Sequence, residues 1–223
     1  MPSLSPVGRT LLRDQALERL RAAIVTGELA PGSVIKDAEL ASRLRLSVAP
    51  VRAALTRLAD EGLVEAKPQS HTRVTQLAVP QVRDAAAVVR AMHELAAREA
   101  TGRLTGDDVA AMRAANDRFT VAVAAGDVDA ALVADDELHG VLLARLGNAA
   151  ATATVDRFTP LIRRLERSRF AADGARGSAE RHARLIDACA AGDVAAVVGL
   201  TTEIWTALLD ELADAPTDPE EHP

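Results

Sequence analysis

Apolar residues recur at helical spacing at the front of the chain: Leu12, Ala16, Leu20, Ala23 and Ile24 share one face of a segment from about Leu11 to Thr26, which GELAPG then breaks. Val34 and Ile35 form a short extended piece. Two short helices follow: DAELASRLR with Asp37 as its N-cap, and VAPVRAALTRLADEG with Ser47 as its N-cap and Pro50 in its first turn, where a missing N–H is harmless. After Gly62 the period shortens to the alternation of strands in LVEAK and TRV, with PQSH between them as the turn of a two-stranded hairpin. LAVPQ, around Pro80, reads as a linker. From Val82 onward only helical periodicity remains, in segments near 82–101, 105–125, 128–146, 149–170, 178–191 and 194–212. Thr105, Asp127, Ser178 and Asp193 stand at N-cap positions, and Gly126 and Gly192 where a preceding helix must stop. AGDV occurs at 125–128 and 191–194, and is read as this stop-and-start device used twice rather than as an internal repeat.

Three short helices followed by a hairpin are, in this order, the elements of a winged helix-turn-helix. The expectation is a mainly α protein with a DNA-binding unit over 1–78, its β-hairpin the wing, an all-α helical bundle over 79–213, and a disordered tail over 214–223, where PTDPEEHP is acidic and proline-rich. Composition agrees: 223 residues suffice for two modest domains, and 2% aromatics with no tyrosine favour close-packed helices over a β-sandwich. The single Cys189 has no internal disulfide partner, and within the Ala-rich ARLIDACAAG it is expected to be buried and inert. No charged-then-apolar leader opens the chain and no apolar run approaches a bilayer's thickness, so a cytoplasmic location away from the membrane is expected. The net charge of -6 hides an asymmetry. Residues 1–78 hold 11 Lys/Arg against 8 Asp/Glu, a net +3, whereas 79–223 hold 15 against 24, a net -9. A phosphate-bearing partner would meet the front of the chain.

In a helix-turn-helix the residues opening the second helix reach base edges, here Ser47, Val48, Ala49 and Arg52. The stretch APGSVIKDAELASRLRLSVAPVRAALTRLADEGLVEAKPQSHTRV resembles the GntR family, with its PG turn, a short helix containing LA, and then S-x-x-PVR-x-AL-x-RL-x-x-EGLV. The resemblance assigns the Arg52 position to DNA contact, and the guanidinium fork suits a guanine edge or a phosphate. Arg43 and Arg45, in the turn between the two helices, are read as phosphate contacts, and His71 and Arg73 as minor-groove or phosphate contacts at the wing tip, with a plain exposed turn as the alternative there. Arg57, farther along, is expected as a solvated arginine. Family members usually place Arg and Thr directly after the serine, whereas this chain has Val48 and Ala49. Two polar readers are missing, which implies fewer bidentate contacts, with weaker affinity or more dependence on DNA shape.

The second half is similar to the FCD ligand-binding domain of the FadR subfamily, on VRAMHELAARE, DDELHGVLLARLGN and ERHARLIDACAAGDVAAV. Asp135 and His139 are four apart and project from one helix face. With His182 they match positions that in FCD domains hold a divalent metal of the zinc, nickel or manganese type through three histidines and one aspartate, the metal helping to grip a carboxylate effector. The last histidine position falls at Ile204. Three ligands plus water or effector can still hold zinc, with Glu203 or His93 as replacements; otherwise Asp135, His139 and His182 form a polar pocket that meets an effector directly. Arg90 either grips an anionic effector or pairs with Glu94, and Trp205 packs in the bundle or a subunit interface. LIRRLERSRF (161–170) could face the pocket on one side, with most of its charges expected to be solvated. The resemblance implies a homodimeric transcription regulator, a repressor, that binds an inverted-repeat operator in double-stranded DNA under control of a small-molecule effector. The competing reading is a metal-dependent hydrolytic enzyme on the helical half, which lacks a general base at recognisable spacing.

Overall fold

The computed structural model of the chain describes residues 9–66, 72–170 and 176–213, and the chain divides into two compact units, Met1–Leu77 and Ala78–Pro223. The expected disordered tail and His71 lie outside the described residues.

In the first unit, α1 (Arg9–Val25) buries Ala16, Leu20 and Ile24 at four-residue spacing and lays that stripe across α3 (Val48–Asp60), which returns Val51, Ala54, Leu55 and Leu58. Arg21 of α1 grips Glu61, at the end of α3, through two bonds of 2.9 and 2.7 Å, so the buried Glu61 carboxylate is paired. Between them α2 (Asp37–Leu44) contributes Leu40 and Ala41 to the same core. Asp37 is the first residue of α2 rather than its N-cap; Lys36 holds that position without a side-chain cap bond, and the Asp37 carboxylate turns to Arg52 instead. Gly62, at φ +75°, takes the left-handed conformation that turns α3 into β2 (Val64–Ala66).

The wing is larger than a hairpin. β3 (Thr72–Val74) lies in the middle of a three-stranded antiparallel sheet, with β2 on one side and β1 (Val34–Ile35) on the other. The extended piece before α2 is therefore an edge strand that ties the wing to the helices.

The second unit opens on α4 (Val79–Ala100), with Pro80 inside its first turn. The expected linker is thus already helix, because a first-turn proline gives up an N–H that has no intrahelical partner. α4 packs against α6 (Val128–Leu146), α7 (Ala149–Phe170) and α9 (Val194–Ala213), while α5 (Gly106–Ala125) packs on α6 and on α8 (Arg176–Ala191). Alanines at 85, 86, 96, 97, 100, 115, 122, 131 and 134 are buried at these contacts, where a lone methyl lets the backbones approach. Thr105 and Asp108 close a capping box at the start of α5. Both AGDV segments place glycine in the left-handed region (Gly126, Gly192) and use the next aspartate as a cap, Asp127 to the Ala130 N–H and Asp193 to the Ala196 N–H, each at 3.0 Å. Ser178 is not a cap: α8 begins before it, at Arg176, and its hydroxyl accepts from Arg181. Cys189 is buried in α8, and burial pushes its thiol up to about 11.

Candidate functional site

Two groups of side chains have chemistry that the cores do not consume. The first lies on α3 and the turn before it. Because Val51, Ala54, Leu55 and Leu58 turn one face of α3 to the core, Ala49, Arg52 and Thr56 are left on the exposed face, with Ser47 exposed at the helix start and Val48 and Pro50 half-buried. Ser47 has the extended backbone of an N-cap but makes no side-chain cap bond. The Arg52 side chain is 71% exposed, and its Nε donates to Asp37 Oδ2 at 2.9 Å. Arg43, also exposed, donates to Glu28 at 2.7 Å. Arg45 ends α2 at φ +55°, a conformation usual for glycine and costly for a side chain with a Cβ, by about 1–2 kcal/mol. Arg57 is exposed, as expected. Arg73 corrects the sequence reading: it sits mid-strand in β3, half-buried, opposite Val34 on one side and Glu65 on the other, not at the wing tip.

The second group lies inside the helical unit. α6 supplies Asp135 and His139, and α8 supplies His182; each offers one ligand atom, and these atoms lie within 4.8 Å of one another. Asp135 Oδ1 faces His182 Nε2 at 3.3 Å and His139 Nε2 at 3.7 Å, while its Oδ2 accepts from Arg163 of α7 at 2.6 Å. Arg163 also pairs with Asp136 and with Glu166. Burial alone would raise the Asp135 carboxyl, but the Arg163 guanidinium beside it holds it well below the usual carboxylate range. Burial lowers His139 to about 4 and His93 to about 3, so both imidazoles are neutral near pH 7. Glu166 moves upward, again by burial. The rings continue outward from the cluster: His182 edge-on to Phe119 at 5.0 Å and to His139 at 5.1 Å, His139 to His93 at 5.7 Å, and His93 against Trp205 at 5.4 Å.

Residues 12–74 match the family model of the bacterial regulatory proteins of the gntR family, and residues 84–207 match the FCD domain. The chain is a GntR-family protein with an FCD domain. Among its relatives, the HTH-type transcriptional repressor RspR of Escherichia coli (strain K12) is 28% identical over 131 residues, 59% of this chain and 58% of that protein. The chain therefore spans a little over half the length of the curated relatives it matches first. A probable D-xylose utilization operon transcriptional repressor of Paenarthrobacter nicotinovorans is 33% identical over 90 residues, 40% of each chain. Two solved structures share the fold: E. coli McbR/YncC, with a TM-score of 0.80 at 20% identity over 91% of this chain and 97% of that one, and a transcriptional regulator of Rhodococcus sp. RHA1, with 0.75 at 19% over 92% and 99%.

Within this GntR–FCD chain the structure brings Asp135, His139 and His182 together and places the other candidates elsewhere. Arg90 pairs along its own helix with Glu94 at 3.5 Å, and Glu94 also accepts from Thr202 of α9 at 2.9 Å. Glu203 is tied to Arg184 by two bonds of 2.8 and 3.1 Å on the exposed side of α9, so it is no replacement ligand. His93 is buried between the His139 and Trp205 rings, outside the group whose ligand atoms converge. One side of LIRRLERSRF does face the cluster, through Arg163, but fewer of its charges are solvated than expected: Arg164 is 4% exposed and the Arg163 side chain 12%. Sequence reasoning also missed Asn116 of α5, whose Oδ1 lies 3.2 Å from His182 Nδ1. Its signal was present, since Asn116 falls beside Ala115 and three residues before Phe119 on the buried face of α5.

Proposed function

We propose that this chain is a transcription repressor in the cytoplasm that binds an inverted-repeat operator as a homodimer and whose DNA affinity is set by a small carboxylate effector in the helical unit. The observation that carries the reading is Arg52, held out from the solvent face of α3 at the position where a helix-turn-helix reads the major groove. Ser47, Val48 and Ala49 line the same helix opening; with their apolar tips, Val48 and Ala49 suit a thymine methyl better than a guanine edge. Arg43 and Arg45, exposed in the turn, suit phosphates, as do Arg73 and His71 of the wing. The names of the relatives support repression, and a regulator rather than a hydrolase accounts for both halves of the chain.

The donor set of the buried cluster fits a divalent ion. Asp135, His139 and His182 would hold zinc, nickel or manganese, and with Ile204 where the family's last histidine falls, three protein ligands would leave room for an effector's oxygen atoms. Such an ion would supply a Lewis-acid grip on a carboxylate. Arg163 fixes the Asp135 carboxylate by its far oxygen, leaving Oδ1 turned to the histidines. Arg90, half-exposed on α4, is the second cationic candidate for the effector.

By linkage, an effector that weakens operator binding is itself bound more weakly by the operator complex. The test is a gel shift on the DNA upstream of the chain's own gene, with and without a panel of small carboxylic acids, beside metal analysis of the purified protein. Specific retardation that a carboxylate relieves is the expected result; indifference to every DNA tested removes the proposal.

A further inference from the structure

His182 is 1% exposed, so both of its ring nitrogens must find partners inside the protein. Nε2 faces Asp135 Oδ1, and Nδ1 faces Asn116 Oδ1 at 3.2 Å. The Asn116 amide has only one sensible orientation. Its Nδ2 donates to the backbone carbonyl of Ala179 at 3.3 Å, on the same helix as His182, and the flipped amide would set oxygen against oxygen. With the amide oxygen thus directed at Nδ1, the imidazole must carry a proton there to make a bond. In the neutral ring that leaves Nε2 as a bare lone pair, turned to a carboxylate oxygen that is also an acceptor. Two acceptors face each other at 3.3 Å, with His139 Nε2 3.7 Å from the same oxygen.

We infer that Asn116 is a positioning residue: it holds His182 in the Nδ1–H tautomer and so presents Nε2, together with Asp135 Oδ1, as a ligand pair for a divalent cation. The chain of bonds runs from the Ala179 carbonyl through the Asn116 amide to the His182 ring, and it begins and ends on α8, so α5 sets the direction of an α8 ligand. This rests on the reading of the cluster as a metal site and adds to it a residue outside the ligand set. Histidine ligands are oriented in general by the hydrogen bond at their other nitrogen, and loss of such a partner weakens metal affinity by about 10–100-fold.

Two substitutions separate the acceptor from the packing. Asn116→Leu keeps the volume and removes both the oxygen and the donor; Asn116→Asp gives up the donor to the Ala179 carbonyl but keeps an acceptor for Nδ1. Zinc affinity of the full chain, measured by competition with a chromophoric chelator, is expected to fall about 10–100-fold in N116L and to stay within a few-fold of wild type in N116D. Unaltered zinc affinity in N116L overturns the inference, as does equal loss in both variants. A long-range 1H–15N spectrum of the metal-free protein at pH 8 reads the tautomer directly. Wild type should show His182 protonated at Nδ1, and a proton at Nε2 overturns the inference. If wild type binds no zinc, nickel or manganese, the metal reading fails by itself, and the tautomer in wild type and N116L still decides what Asn116 does.

Discussion

Arg52 and Arg163 are the same side chain put to opposite uses by their surroundings. Arg52 stands in solvent with one carboxylate, Asp37, while Arg163 is buried among Asp135, Asp136 and Glu166. An exposed pair gains little and exchanges readily, so the Arg52 fork is free to trade Asp37 for a phosphate or a base edge. A buried pair is expensive to break, because the partners left behind keep their charge where water cannot reach it. The first unit thus keeps its cation available, and the helical unit uses its cation as framework.

The largest effect that would break this contrast is at Arg163. Arg163→Met should destabilise the helical unit by about 3–5 kcal/mol in urea or thermal unfolding, since it strands buried carboxylates. A loss under about 1 kcal/mol would mean that the cluster is wetter than its burial indicates. Next, Arg52→Ala should leave the melting temperature unchanged and weaken the operator complex by about 1–3 kcal/mol, flattening the preference at one base position. Equal affinity for operator and scrambled DNA in wild type would remove the base-reading role. Smaller again, Arg45→Gly should stabilise the first unit by about 1 kcal/mol through relief of its positive φ, yet weaken binding to every DNA sequence alike. The smallest effect is expected at a carboxylate of the helical unit whose cationic partner, Arg145, is itself exposed. Asp108 is half-buried at the start of α5, and its hydrogen bond from Arg145, with those from Thr105, lowers its carboxyl to about 2. A depressed acid contributes stability above its unfolded value near 3.8, and loses it as pH falls through about 2. Asp108→Asn should therefore flatten a shallow part of the acid-unfolding curve between these values and lower stability slightly at pH 7, where the ionised carboxylate contributes in full.

The first unit was largely legible because its signals are local. Helical spacing, the left-handed glycine after α3 and the PVR run all lie within a few turns of one another. Where partners came from a distance, the pattern misled. Arg73 was placed at the tip because nothing within TRV reveals that a third strand, Val34–Ile35, pairs alongside and makes β3 central. In the helical unit, the Asp135–His139 spacing was readable on one helix, and His182 through family likeness. That Arg163 and Asn116 lie on inward-turned faces was open to reading, but their partners were not, since the acid or imidazole awaiting each stands on another helix. Pro80 and Ser178 show the same limit at helix ends, where either of two nearby residues can open the first turn.

Trp205 has a practical consequence. The chain has no tyrosine and one tryptophan, and that indole rests against His93, whose ring meets His139 of the cluster. Ultraviolet emission excited at the red edge of the protein band therefore reports from one neighbourhood alone. Occupancy of the cluster by an ion or an acid can be followed as a change in fluorescence of the native chain, with no label attached and no DNA present.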